Sequence, residues 1–259
     1  MRPYITGQYQ QGAFSPGQMV PAFNLDEDPY AASVVSLLHA NGAQGQTTFS
    51  DSIAGITWTN TRACVIDRTT SPFHDQVAPY SIDMGASSNT ISYLLSNASS
   101  SLSLGSGPYT IEGFAKLGRG IINPCLFDNR SASNVGIAIY ANITAATNFG
   151  FVLYSNSTGV IVATDVPIGN TWVHWVVMRT TGGPVYLFLD GKIMNHGTDT
   201  RTYAATPSIY LGSNYTATQP LLGWMSEFRM TLAARYTLPG TFNPYQQIFT
   251  PPTLPFPNP

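Results

Sequence analysis

Charge is what this chain has least of. Asp, Glu, Lys and Arg make up 9% of its 259 residues, against about 25% in an average soluble domain. Long solvated helices need charged faces, so a mainly helical fold is excluded. The formal net charge of −2 leaves no basic footprint for nucleic acid, which would show as clustered Lys and Arg. Long apolar runs are missing too: nothing approaches the roughly 18 residues that a membrane-spanning helix needs. Residues 1–14 lack the apolar core of a secretion signal. With two cysteines there is no disulfide framework and no Cys-x-x-Cys metal motif, so Cys64 and Cys125 are expected as buried free thiols.

Gly (23), Pro (19), Tyr (14) and abundant Ser, Thr and Asn take the place of charge, while a 43% apolar content supplies a sizeable core. The order of the chain is that of an all-β protein. Apolar and β-branched runs at 47–49, 56–59, 80–84, 90–95, 109–117, 135–140, 149–154 and 160–163 alternate with turn residues. The strongest signal is Trp172–Arg179, then Thr180-Thr181-Gly182-Gly183, then Pro184–Leu189, a hairpin with a Gly-Gly turn. Asp190-Gly191 turns the chain again into 192–194, and 208–211 and 223–230 follow. Eleven to thirteen strands at this spacing predict a sandwich. Asp28-Pro29 and the residues after it combine helix-start signals with the apolar pairs Val34-Val35 and Leu37-Leu38. A short helical turn followed by a strand reconciles both.

Both ends read differently. Residues 1–27 follow neither period and predict an extended attachment arm of up to about 80 Å, with Tyr4, Tyr9, Phe14 and Phe23 as its partner-binding groups. Seven prolines between Pro239 and Pro259 favour polyproline-like extension at the other end. The expected organisation is an arm at 1–27, a sandwich at 28–250 and a proline-rich tail at 251–259.

Several segments in order resemble the laminin-G-like, concanavalin-A-like jelly-roll domains of many tailed-bacteriophage virion proteins. Asp28-Pro29-Tyr30 through His39, Asn41-Gly42 and 47–52 resemble the opening strand and turn. Residues 109–116 resemble the central inner strand, and 172–192 the longest hairpin. Ile209–Ser213, 223–229, 234–237 and 249–256 resemble the closing strands and carboxyl tail. Ala40-Asn41 depart from the family, which often carries an aromatic and an acid there. The resemblance implies an antiparallel jelly-roll β-sandwich and a non-enzymatic virion structural protein. The first expectation is a capsid decoration or cement protein, and the alternative is a receptor- or glycan-binding module of a tail fibre. Its implied partners are other virion proteins (the major capsid protein or tail components), a second copy of the chain, or a host surface glycan, with no nucleic acid and no membrane.

Residue chemistry points the same way. Retaining glycoside hydrolysis needs two carboxyl groups about 5–5.5 Å apart. The glutamates are Glu27, Glu112 and Glu227, with no paired-acid strand motif. There is no Gly-x-Ser-x-Gly elbow and no phosphate cradle. Histidines 39, 74, 174 and 196 are scattered, and His174 reads as a hydrogen-bonded structural residue. No catalytic, cofactor-binding or metal-ligating residue is therefore assigned. Calcium stays open as a ligand: Asp26-Glu27-Asp28, Asp51 and Asp128-Asn129 offer suitable oxygens, but their spacing matches no calcium loop. Glu112, set in a strand between apolar residues, and Glu227 and Arg229, flanking Phe228, read as structural charges, a strand carboxylate facing an arginine. Trp172, Trp175 and Trp224 read as core or rim anchors. Tyr203, Tyr210 and Tyr215, near turns, are the candidates for contact with sugar.

Overall fold

The computed structural model describes residues 28–259 except 74–79, 86–90, 119–123, 132–135, 146–147, 156–157, 167–169 and 204–205, and within 142–169 only the backbone. The arm residues Tyr4, Tyr9, Phe14 and Phe23, together with His74, lie outside this set.

Fifteen strands are present among the described residues: β1 (Val34–Leu38), β2 (Trp58–Thr61), β3 (Val65–Asp67), β4 (Ser81–Asp83), β5 (Tyr93–Ser96), β6 (Tyr109–Leu117), β7 (Cys125–Asp128), β8 (Ile137–Ala145), β9 (Asn148–Ser155), β10 (Thr158–Val166), β11 (Trp172–Arg179), β12 (Pro184–Leu189), β13 (Lys192–Thr198), β14 (Tyr210–Leu211) and β15 (Gly223–Thr231). They form two antiparallel sheets. One is ordered β13-β12-β11-β6-β15-β4-β3, with β1 as an eighth strand on β15; the other is ordered β10-β9-β8-β7-β14-β5-β2. This is the expected all-β sandwich. The ambiguous stretch after Asp28 resolves into a 3-10 turn at Ala31–Ser33 running directly into β1. The Gly-Gly turn and the Asp190-Gly191 turn both use positive φ, at Gly182 (86°), Gly183 (101°), Asp190 (48°) and Gly191 (74°), a backbone shape that twists with the flanking strands. The run at 47–49 makes no strand; its neighbour Ser50 forms only an isolated bridge to Thr57.

Alternation decides which side chains face inward. From β6, Tyr109, Ile111, Ala115 and Leu117 enter the core between the sheets; from β11, Val173, Trp175 and Val177 do; from β15, Met225, Phe228 and Met230. The second sheet answers with Leu94, Leu126, Phe127, Ile137, Ile139 and Leu211. Cys64 and Cys125 are free and buried.

The remaining positions of the eight-stranded sheet point away from that core, yet they are not simply exposed. Residues after β15 fold back across them. Val176, Met178, Phe188 and Ile193 pack against Ala234, Tyr236, Leu238, Phe242, Ile248 and Phe249, while Phe256 joins Val34, Leu37, Phe73 and Phe114. Main-chain bonds between Ile193 and residues 245 and 246, and from Ile248 to Gly191, fasten this strap to the β12–β13 turn and edge. The proline-rich end thus lies against the sheet as a third layer over part of it.

Candidate functional site

On the strap-covered face, β6 places Glu112 directly opposite Arg229 of β15 and Val176 of β11. Glu112 is fully buried. Its Oε1 accepts from Arg229 Nε at 2.9 Å and its Oε2 from the Tyr236 hydroxyl at 2.6 Å. His174 Nε2 lies 3.3 Å from Oε2. Burial alone would raise the Glu112 carboxyl, but Arg229, His174 and Arg235 outweigh it and hold it at about 2. A carboxylate held that low donates no proton, the opposite of the tuning a general acid needs. Asp28 extends the network, bonding Arg229 Nη1 at 3.2 Å and Arg235 Nη2 at 2.6 Å. His174 is boxed by the rings of Phe114, Phe249 and Phe256, and its Nδ1 has no hydrogen-bond partner.

Glu227 is held by a distortion. The β15–β6 register shifts between Ser226 and Arg229, and Glu227 takes φ 55°. A positive φ at a non-glycine residue inside a central strand stores strain that its surroundings must offset. The carboxylate is buried and accepts from His39 Nδ1 at 2.8 Å and from the Phe256 main-chain N–H at 2.8 Å. Asn258 Oδ1 sits 3.1 Å from His39 Nε2. The bulge thus aims a carboxylate at the strap. Arg229 also lies under the Phe256 ring, 3.9 Å from its centroid.

Of the tryptophans, Trp175 is in the core, whereas Trp172 and Trp224 are half-buried on the outer face. Their indole N–H groups donate to Thr70 Oγ1 at 3.2 Å and to Asp67 Oδ2 at 2.9 Å.

The outer face of the seven-stranded sheet is built differently. Register places Tyr210 of β14 beside Leu95 of β5 and Asp128 of β7. The Tyr93 and Tyr210 rings meet at 5.6 Å between centroids, tilted by 41°, and both are half-exposed. Next to them Arg130 grips Asp128 through Nε (2.9 Å) and Nη2 (2.6 Å), donates to the Tyr140 hydroxyl at 2.6 Å and lies 5.0 Å from the centroid of Tyr215. The Tyr215 N–H donates to Asp128 Oδ2 at 3.1 Å. The Arg130–Asp128 pair is charge-neutral and buried, and it fixes Tyr215 at the rim. Of the three tyrosines singled out from the sequence, Tyr210 and Tyr215 therefore belong to one patch. Tyr203 does not: its hydroxyl donates to Asp199 at 2.6 Å and its ring joins the core cluster, where a main-chain bridge to Gly105 holds it. Tyr93 was missed; its signal was the alternation of β5, where Leu94 faces the core and 93 and 95 face out.

Each aspartate and glutamate whose side chain is described accepts a hydrogen bond from the chain itself. Among the described residues no group of three His, Cys, Asp or Glu side chains is arranged to hold a metal ion. No described helix is long and apolar enough to cross a membrane.

No curated protein sequence matches the chain. Solved structures do, at the level of fold. The binding domain of botulinum neurotoxin DC in complex with SialylT shares 12% identity at a TM-score of 0.56, covering 79% of this chain and 48% of that one. The binding domain of Paraclostridial Mosquitocidal Protein 1 shares 14% at 0.56, with 79% and 50% covered. A botulinum neurotoxin type C structure, whose cell entry depends on interaction with two ganglioside molecules, shares 12% at 0.54, with 79% and 49% covered. The chain spans about half the length of these structures, and none of the three is a virion protein. The model of the concanavalin A-like lectin/glucanases superfamily matches residues 88–235, from just before β5 through β15 and into the strap, which is more than half of the sequence. With a two-sheet antiparallel sandwich under that match, this chain belongs to the concanavalin A-like lectin/glucanases superfamily.

Proposed function

We propose that this chain is a non-enzymatic recognition module that takes carbohydrate on the tyrosine-bearing outer face of the seven-stranded sheet. The observation that carries the reading is the half-exposed Tyr93–Tyr210 pair beside Tyr215, Arg130 and Asp128. Aromatic faces receive the apolar faces of sugar rings, and a fixed polar rim orients hydroxyl groups. Glu112 and Glu227, the acids that a hydrolase reading would recruit, are occupied by arginine, histidine and the strap. The neighbours named for SialylT and for gangliosides lend support by fold. A glycan array probed with the soluble chain tests the reading: selective binding that Tyr210→Ala abolishes is expected. A blank array, or binding indifferent to that change, would overturn it.

A second reading concerns where the module sits. The aromatic, aperiodic segment 1–27 and the low charge of the whole chain suit a permanent interface, where desolvated charges are costly. In this reading the arm grips a neighbouring protein of a tailed-phage particle: the major capsid protein if the chain is a decoration protein, a tail component if it is a fibre module. Deleting residues 1–27 is expected to abolish particle association while leaving the melting temperature nearly unchanged. Normal association of the truncated chain would remove the arm from the account, and imaging of a labelled copy separates head from tail.

A further inference from the structure

At one end of the eight-stranded sheet's outer face four aligned side chains stay half-exposed, Trp172 with one side packed against the cluster of Phe73, Phe114 and Phe256. There, register aligns Trp172 of β11 with Lys116 of β6, Lys116 with Trp224 of β15, and Trp224 with Asp83 of β4. These side chains stand in one row across four adjacent strands. All four are half-exposed. Strands lie about 4.8 Å apart, so the two indole-bearing positions are separated by about 10 Å, a spacing that seats alternate rings of an extended glycan. Both indoles are pinned through their N–H groups, to Thr70 and Asp67, so their faces are pre-oriented. Between them lies Lys116, its Nζ 5.0 Å from the centroid of the Trp224 indole, and among the described residues it forms no ion pair. Among the described residues its ammonium meets the Trp224 ring and no carboxylate, which leaves the charge available to an anionic ligand.

We propose that Trp172, Lys116 and Trp224 form a second binding site, separate from the tyrosine face, for an extended oligosaccharide that carries a carboxylate on its rings. The two indoles stack on sugar faces, the ammonium pairs with the sugar carboxylate, and Asp83, at the far end of the row, accepts from hydroxyls. This polarity lets the site distinguish an acidic glycan from a neutral one, which a bare aromatic platform does not.

The test uses the four tryptophans as reporters. Trp58 and Trp175 are 8% and 0% exposed, so a ligand-induced change in fluorescence reports Trp172 and Trp224. The full chain is titrated with an oligogalacturonate and with a neutral malto-oligosaccharide of equal length. A saturable change with the acidic sugar, weakened by added salt and by at least about tenfold in Lys116→Gln, is expected, with the neutral sugar much weaker. Trp224→Phe weakens the same titration and guards against a variant that misfolds, and circular dichroism checks each fold. No saturable change, equal affinity for the neutral sugar, or an unaltered Lys116→Gln titration would overturn the proposal. Tyr210→Ala leaves this titration untouched, so the two sites fail or survive independently.

Discussion

The two outer faces of this sandwich begin from the same rule, alternate residues of a strand pointing outward, and end in opposite states. On the eight-stranded sheet the chain covers much of its own face. Glu112, Asp28 and Glu227 are buried there with Arg229, Arg235 and His39, and the strap lies over them. On the seven-stranded sheet, Tyr93 and Tyr210 remain half-exposed and the buried Arg130–Asp128 pair braces a tyrosine. The contrast teaches that a buried carboxylate in this fold marks a place where the protein holds itself together, and a half-exposed aromatic marks a place where it is free to hold something else.

The sharpest way to break that contrast is Arg229→Ala. It strips Glu112 and Asp28 of a shared counter-charge inside the covered face, and removing one partner of a buried pair costs about 3–5 kcal/mol. Urea unfolding measures it, and a loss below about 1 kcal/mol would mean that the network is not structural. Phe256→Ala comes next. It empties the pocket between Phe114, His174 and Arg229 and is expected to cost about 3 kcal/mol, with new binding of a hydrophobic dye as the strap lifts. Tyr210→Ala is the counterpart on the open face: stability within about 0.5 kcal/mol of the parent, but sugar binding lost. Equal destabilisation by the last two changes would erase the distinction.

The smallest effect is a pH dependence. Burial lowers the His39 pKa, but the hydrogen bond and charge of Glu227 more than reverse this, so the folded value lies above the ordinary 6.5. The stability contributed by the pair is therefore fully present below about 6.5 and lost as pH rises through the folded value. Melting temperatures just below and well above neutrality should differ in the parent, and His39→Gln should flatten the difference. Glu112 has the opposite sign: its contribution holds above its ordinary 4.5 and is lost as pH falls toward about 2.

The fold was legible because strand signals are local. β6, β11 and β12 match the runs read from the sequence residue for residue. Val65–Asp67 and Cys125–Asp128 were not read as strands, since three or four residues of mixed polarity give no period to detect. The pairing of Glu112 with Arg229 follows from register between β6 and β15, which one sequence does not reveal, although the sequence did mark both as structural charges. The strap was the least legible feature. Its prolines announce an extended chain without saying what it lies on, and one of its holds, the Glu227 carboxylate on the Phe256 N–H, depends on a bulge that leaves no mark in the sequence. Tyr203 and Tyr210 read alike in the sequence, yet one is buried and the other half-exposed, because nearness to a turn says nothing about which side of the sheet a ring will occupy.

The position of β15 has a consequence for how this protein is made. It lies between β6 on one side and β1 and β4 on the other, so an interior strand of the larger sheet is the last of that sheet's strands to leave the ribosome. Until residue 231 has emerged, β6 has an open edge and the amino-terminal strands have no seam to join. Such long-range pairing is slow. During that delay nascent chains are open to one another, and chaperone supply and translation speed should govern the yield of this protein more than its final stability does.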